Sequence, residues 1–188
     1  MFIQTETTPN PDTLKFLPGQ TVLPEGTAEF TSVEAAEQGS LLAHSLFRCG
    51  SVTRVLLGQD FVAVTKEPAR EWMTIKPLLL GAIMDHFVSQ RPVLSGDAVA
   101  PKAAAQHAEA TDEITQQIIE ILDTRVRPAV AQDGGDITFD RFEDGILYLE
   151  MRGACSGCPS STATLKHGIE NMMKHFVPQV QEVRSTAA

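Results

Sequence analysis

Apolar and polar positions in the first half of the chain follow a short-strand pattern and then a helical pattern. Strands are predicted at residues 2–5 and 13–16, where the two kinds of side chain alternate. Between them, two prolines and an Asn-Pro step at residues 8–12 indicate a turn, because the residue before proline disfavours helix. Ser32 and Ser40 each precede an apolar run as a helix N-cap does, so one or two short helices are predicted next.

A hairpin and a longer helix complete this half. The apolar and β-branched segments 52–57 and 61–65 are separated by a short glycine-containing turn, which predicts two antiparallel strands. Apolar side chains recur at helical spacing over residues 71–88, where Pro77 is expected to kink the helix or to begin a second segment. We therefore predict that residues 1–88 form a compact α/β domain.

The composition changes after this helix. Residues 89–110 are rich in alanine, proline, serine and glycine and show little apolar periodicity. Such a segment cannot bury an apolar face, so we predict a flexible linker that lets two domains move independently.

Residues 111–188 are predicted to form a second domain. Its expected elements are a helix over 111–131, strands at 137–142 and 146–151, a helix over 160–176 and an edge strand at 180–183. Asp144-Gly145 between the two central strands is typical of a tight turn. The predicted fold class is α+β: two small α/β domains joined by a flexible linker, the C-terminal one ordered helix-strand-strand-helix-strand.

Composition restricts the classes of function. The 188 residues carry a net charge of −9, which argues against a sequence-independent nucleic-acid surface. No apolar run approaches the length needed to span a membrane, and no secretory signal is visible at the start. Three cysteines are too few for a disulfide framework. We expect a soluble protein of a reducing compartment, with neither a nucleic-acid nor a membrane partner.

The candidate chemistry lies between the second and third predicted strands of the C-terminal domain. Cys155 and Cys158 form a CxxC pair, so both sulfurs can face one point, and glycines on either side suit a loop that bends back. Pro159 is well placed to start a helix. The partial positive charge of a helix N-terminus is expected to lower the pKa of both thiols.

Two single-chain interpretations of the pair have weaknesses. A thioredoxin-like dithiol usually follows a strand of a β–α–β unit, whereas the strand before Cys155 belongs to an antiparallel hairpin. Structural zinc needs four ligands, and the nearby His167 and His175 occupy polar positions that predict exposed helix surface. Cys49 lies in the other domain, at an apolar position that favours a core role. The aspartates of Asp133-Gly134-Gly135-Asp136 are explained by turn chemistry, bonding to local N–H groups.

A cluster shared between two chains would explain why the C-terminal domain has only two thiolate ligands. Iron–sulfur clusters usually take four thiolates, and the C-terminal domain supplies only Cys155 and Cys158. Two copies related by a two-fold axis supply four, which predicts a homodimer. A site held by two ligands per chain at a subunit boundary suits a cluster that is handed on. Inert buried thiols are disfavoured, since a Gly/Ser loop is expected to bury little.

The chain resembles the Nfu/NifU-type iron–sulfur scaffold proteins. The C-terminal resemblance rests on Arg127-Pro128-Ala129-Val130, Asp133-Gly134-Gly135-Asp136, the loop from Gly153 to Ser161, Leu165-Lys166 and Gly168-Ile169-Glu170-Asn171. The N-terminal half is similar to the companion domain of bacterial and mitochondrial Nfu proteins, through Thr8-Pro9-Asn10-Pro11, Leu14-Lys15-Phe16, Leu46-Phe47, residues 60–66, Trp72 and Lys76-Pro77.

This resemblance implies a cluster carrier and not an enzyme. It implies a labile [4Fe–4S] cluster bridging two subunits, with Cys155 and Cys158 of each as its ligands. The implied partners are a second copy of the chain, apo iron–sulfur client proteins and the upstream cluster assembly machinery. The expected location is the bacterial cytoplasm or, as a mature form, the mitochondrial matrix.

Overall fold

The computed structural model describes residues 2–95, 112–156 and 159–186 and contains two sheets, each packed against helices. The N-terminal elements are β1 Gln4–Thr7, β2 Thr13–Leu17, β3 Ala28–Phe30, α1 Val33–Gly39, α2 Leu41–Arg48, β4 Val52–Leu57, β5 Val62–Lys66 and α3 Trp72–Val88. The C-terminal elements are α4 Glu113–Ile121, a π-helical turn Leu122–Val126, α5 Arg127–Gln132, β6 Gly135–Glu143, β7 Ile146–Gly153, α6 Pro159–Phe176 and β8 Glu182–Thr186. None of the described helices combines the length and apolar character that a bilayer crossing requires. The α+β class with two domains is confirmed.

The N-terminal sheet has the order β1-β2-β5-β4-β3, and every neighbouring pair is antiparallel. Residues of α1, α2 and α3 pack on one face of this sheet and form the first core with it. Ser32 and Ser40 cap α1 and α2 as predicted, because their hydroxyls accept hydrogen bonds from Ala35 N and Ala43 N. The strand β3 was not predicted, since three residues are too few for an alternation to register.

The helix α3 runs from Trp72 to Val88 and includes Pro77. A second segment beginning at Pro77, one of the two expected outcomes, is not observed. Trp72 packs against the first core and donates a hydrogen bond from Nε1 to the carbonyl oxygen of Pro11, 3.0 Å away. The start of α3 is thereby fixed to the turn between β1 and β2.

The C-terminal sheet has the order β6-β7-β8, with β6 and β7 antiparallel and β7 and β8 parallel. Asp144 and Gly145 have φ of 49° and 78°, so the predicted tight turn lies between β6 and β7. The helical segment before the sheet contains a π-helical turn that ends two residues before Pro128. A π turn shifts the hydrogen-bond pattern at a point where proline has no N–H to donate.

The beginning of the segment predicted as a linker is held by the N-terminal domain. Ser40 donates from Oγ to Val93 O over 2.6 Å, and Ser95 N donates to Gly39 O over 3.0 Å. Val93 and Leu94 also pack against the first core. The rest of the predicted linker lies outside the described residues.

The central strands of the N-terminal sheet are buried on both faces. Four consecutive residues of β2 and the last three of β4 are buried, although each strand alternates its side chains between two faces. Helices cover one face. Leu56, Phe61 and Ala63 point to the other face and form a separate apolar cluster with Ala131 of the C-terminal domain. The two domains are therefore in direct contact, which the sequence did not predict.

Candidate functional site

Residues 153–156, here called the cysteine loop, turn the chain away from the end of β7. Gly153 has φ of +58°, a conformation that glycine adopts without strain. Cys155 N and Ser156 N donate to Arg152 O and Gly153 O over 3.3 and 3.1 Å, which closes a tight turn around the first cysteine. Cys158 lies outside the described residues.

Gly135 makes room for the sulfur of Cys155. A Cβ atom built on Gly135 would lie well under 3.0 Å from Sγ, closer than real Cβ atoms approach, and 3.2 Å from the Cβ of Cys155. Its neighbour Gly134 has φ of +73° and makes the reversal into β6. The two glycines, which the sequence assigned jointly to a turn, therefore have different roles: Gly134 turns the backbone and Gly135 accommodates the thiol.

The predicted lowering of the thiol pKa is wrong for Cys155, and so is the expectation that the loop buries little. Only 5% of this residue is exposed. Burial raises the pKa of the Cys155 thiol to about 12, and the charges of Asp133, Asp136 and Glu29 add to the rise. Desolvation destabilises the thiolate by more free energy than the partial charge of a helix N-terminus can supply.

Asp136 anchors the first strand of the site to the preceding helix. Arg127 donates from Nε to Oδ1 of Asp136 over 2.9 Å and from Nη2 to Oδ2 over 3.3 Å, and its Nη1 donates to Asp123 over 3.0 Å. Thr27 of the N-terminal domain donates a further hydrogen bond to Asp136. The side chain was expected to bond local N–H groups, but a guanidinium and a hydroxyl occupy its oxygens instead.

The histidines and the third cysteine lie where their sequence positions predict. His167 and His175 are exposed on α6, as predicted for surface positions. Cys49 is half-buried and packs against the first core, in agreement with the core role predicted for it. Within the described ranges, no group of three or more histidine, cysteine, aspartate or glutamate residues is arranged to hold a metal ion.

Two residues of the N-terminal domain form hydrogen bonds with the cysteine loop, and the sequence predicts no part in the site for either. Glu29 Oε1 accepts a hydrogen bond from Gly153 N over 2.7 Å, and Asn10 Nδ2 donates to Ser156 O over 3.3 Å. Asn10 lies in the predicted turn, whose composition already explained an asparagine there. The signal that distinguishes it is its burial, because 4% exposure is rare for asparagine.

The strand order corrects one argument made from sequence. Because β8 pairs in parallel with β7, the segment β7–α6–β8 is a β–α–β unit, and the cysteine loop stands at its first connection. The antiparallel hairpin of β6 and β7 therefore does not by itself distinguish this site from dithiol proteins of the thioredoxin kind. The topology leaves that alternative open.

Comparison with known proteins accounts for most of the chain. The family model for a NifU-like domain matches residues 118–184, and the model for the scaffold protein Nfu/NifU N terminal matches residues 3–90. A solution structure of a NifU-like protein from Saccharomyces cerevisiae superposes with a TM-score of 0.47 at 25% identity, over 52% of this chain and 87% of that one.

Curated relatives match over nearly the full length of this chain. The mitochondrial NFU1 iron-sulfur cluster scaffold homolog of Drosophila ananassae is 48% identical over 97% of the chain and 63% of its own length. The protein of the same name from Drosophila erecta is 49% identical over 97% of the chain and 64% of its own length. The chain thus spans a little under two thirds of these relatives. The resemblance drawn from sequence is confirmed, and the chain belongs to the Nfu/NifU-type family, with an Nfu N-terminal domain followed by a NifU-like domain.

Proposed function

We propose that this chain is an iron–sulfur cluster carrier that binds a [4Fe–4S] cluster between two copies and transfers it to apo-protein clients. Cys155 and Cys158 of each copy are the proposed ligands, and the cluster is the cargo. No turnover chemistry is assigned to the chain, and its proposed donor is the upstream assembly machinery.

The observation that carries the proposal is the position of Cys155 in a tight turn, three residues before Cys158 in the sequence. Among the described residues, no group of three or more histidine, cysteine, aspartate or glutamate residues could hold a metal ion within one chain. Four thiolates complete an iron–sulfur site, so two copies are needed. The scaffold role is taken from the names of the relatives.

Anaerobic reconstitution with iron and sulfide tests the proposal. The protein should become a brown dimer with about four irons per pair of chains, as a cluster held by four thiolates requires. Cys155→Ser and Cys158→Ser should each lose the colour and the dimer. Cys49→Ser is the matched control, because this cysteine packs against the core of the other domain, and it should load normally.

Full iron loading in either ligand variant would contradict the assignment, as would a loaded monomer. A redox dithiol is the second candidate, because the cysteine loop begins a β–α–β unit. Its signature is a reversible Cys155–Cys158 disulfide with reductase activity in iron-free protein. That result, together with failure to load iron, would replace the carrier by a dithiol protein.

Of the two compartments expected from sequence, the mitochondrial matrix is the one that the relatives' names favour. The bacterial cytoplasm gains no support from them. Fractionation of cells that express the tagged protein at its natural level decides between the two.

A further inference from the structure

The N-terminal sheet presents an apolar face that its own helices do not cover. This surface, here called the docking face, is built on Leu56, Phe61 and Ala63, which are 0%, 3% and 1% exposed. They form a cluster separate from the helix-covered core and contact Ala131 of α5. Leu17 of β2 also packs against the cluster, so the C-terminal domain supplies part of its burial.

The centre of the docking face lies directly against the cysteine loop. A Cβ atom built on Gly153 would be 2.5 Å from Cδ2 of Leu56, so the glycine backbone and the leucine side chain are already in close contact. A Cβ atom on Gly134, beside the same loop, would be 3.6 Å from the Cβ of Ala63. A side chain at Gly153 would therefore overlap Leu56, whereas one at Gly134 would make a close but ordinary contact with Ala63.

Hydrogen bonds from the N-terminal domain surround this apolar contact. Glu29 accepts from Gly153 N, and Asn10 donates to Ser156 O, so backbone groups on both sides of Cys155 are held. Lys15, itself buried, donates from Nζ to Gln132 O over 3.1 Å. The N-terminal domain thus contacts the cysteine loop along one side of its first turn.

We propose that the docking face is a cap on the cysteine loop, and that cluster-bridged pairing of two copies displaces it. This inference rests on the function proposed above. A shared cluster requires the sulfur of Cys155 to reach a site completed by a second chain. That residue is almost fully buried in the apolar core of the C-terminal domain, and the N-terminal domain holds the backbone on both sides of it. The side of the loop held by the N-terminal domain cannot at the same time receive another copy.

The composition of the contact between the two domains is consistent with an interface that opens. Apolar contacts of the docking face stand beside hydrogen bonds from Glu29, Asn10 and Lys15, and such mixed polar composition is typical of interdomain interfaces that separate and reform. Cap release and cluster uptake are therefore two linked equilibria.

The cap is tested in cluster-free protein with Leu56→Asp, which places a charge in the apolar contact without touching the helix-covered core. Leu56→Ser is the milder second variant. Thr53→Asp is the matched control, because Thr53 lies on the same strand at an exposed position. The measurement is the alkylation rate of Cys155 by iodoacetamide, resolved from the other cysteines by peptide mass spectrometry, with the radius of gyration from X-ray scattering.

Leu56→Asp should raise the alkylation rate by about tenfold or more and enlarge the radius of gyration. A tenfold change corresponds to about 1.4 kcal/mol. Leu56→Ser should raise the rate by a smaller factor, and Thr53→Asp should stay near the wild type. An unchanged rate and radius in both Leu56 variants would overturn the cap.

The competition with cluster is tested by following anaerobic cluster uptake in the same proteins. Leu56→Asp should load several-fold faster than the wild type and reach the same iron content per dimer. Equal loading rates despite faster alkylation would overturn the competition. If no protein takes up iron, the proposed function fails and the competition fails with it, whereas the alkylation result decides separately whether the cap exists.

Discussion

Replacing Gly135 with alanine is expected to destabilise the C-terminal domain by displacing the thiol of Cys155. The added methyl would overlap Sγ and lie 3.2 Å from both the Cβ of Cys155 and the carbonyl oxygen of Arg152. The backbone of Gly135 does not have the positive φ that penalises alanine, so the cost comes from the contact. Overpacking of this kind typically costs about 1–3 kcal/mol. Alanine also lowers the conformational entropy of the unfolded chain, which offsets about 0.4–1 kcal/mol of this cost and leaves a net loss of about 1.3 kcal/mol at the middle of the two ranges.

A double-mutant cycle with Cys155→Ala isolates the contact with sulfur. Once Sγ is removed, Gly135→Ala should cost much less, with a coupling free energy of about 1 kcal/mol or more. Urea unfolding followed by far-UV circular dichroism gives the free energies. Fluorescence of Trp72, the single tryptophan, reports the N-terminal domain separately.

Gly168→Ala is the matched control, because a Cβ atom on this helical glycine meets nothing within 4 Å. It should be neutral or stabilising by up to about 1 kcal/mol. If Gly135→Ala costs as much in the Cys155→Ala background as in the wild type, the steric argument is refuted. The same holds if Gly135→Ala leaves stability unchanged.

Three further predictions concern contacts elsewhere. Ser40→Ala should lower the free energy of unfolding by about 1–2 kcal/mol, because its hydroxyl caps α2 and also donates to Val93 O; an unchanged tryptophan-monitored urea midpoint would contradict this. Arg127→Lys should destabilise the C-terminal domain by about 1–3 kcal/mol, because an ammonium cannot reproduce the paired bonds to Asp136; circular dichroism in urea measures the loss, and a wild-type midpoint would refute it. Burial lowers the pKa of His86 below its ordinary 6.5. Between that pH and the lower pKa of the folded state, His86 is protonated in the unfolded chain but neutral in the folded chain. The N-terminal domain should therefore lose stability as the pH falls through 6.5 towards the lower folded pKa, and His86→Gln should flatten this decline; a parallel decline in the variant would show that other groups cause it.

Most of the secondary structure could be predicted from local pattern. Apolar spacing located the helices and the two hairpins, and Ser32 and Ser40 marked the helix starts because a cap acts within four residues of its own chain. Element ends were less accurate, and β3 was missed altogether. The second strand of the C-terminal hairpin extends to Gly153, two residues beyond the prediction, because its pairing with β6 continues to Gly135.

The candidate site was predicted by residue type but not by environment. The spacing of two cysteines three positions apart is enough to predict a ligand pair from the sequence. Their setting does not follow from spacing, since the burial of Cys155 depends on Gly135, which is twenty positions earlier in the sequence. The parallel pairing of β7 with β8, which turns the cysteine loop into part of a β–α–β unit, likewise depends on where a distant strand docks.

The sequence alone determined the two-domain α+β organisation, the helix caps, the tight turn at Asp144-Gly145 and the identity of the cysteine pair. Each of these follows from interactions within a few residues or from an apolar period. Only the tertiary structure decided that the outer face of the N-terminal sheet covers the cysteine loop. Glu29 and Gly153 are 124 positions apart, and nothing in either local pattern specifies the other. Such a contact depends on the complementary shapes of two folded domains, and no local sequence pattern encodes that fit.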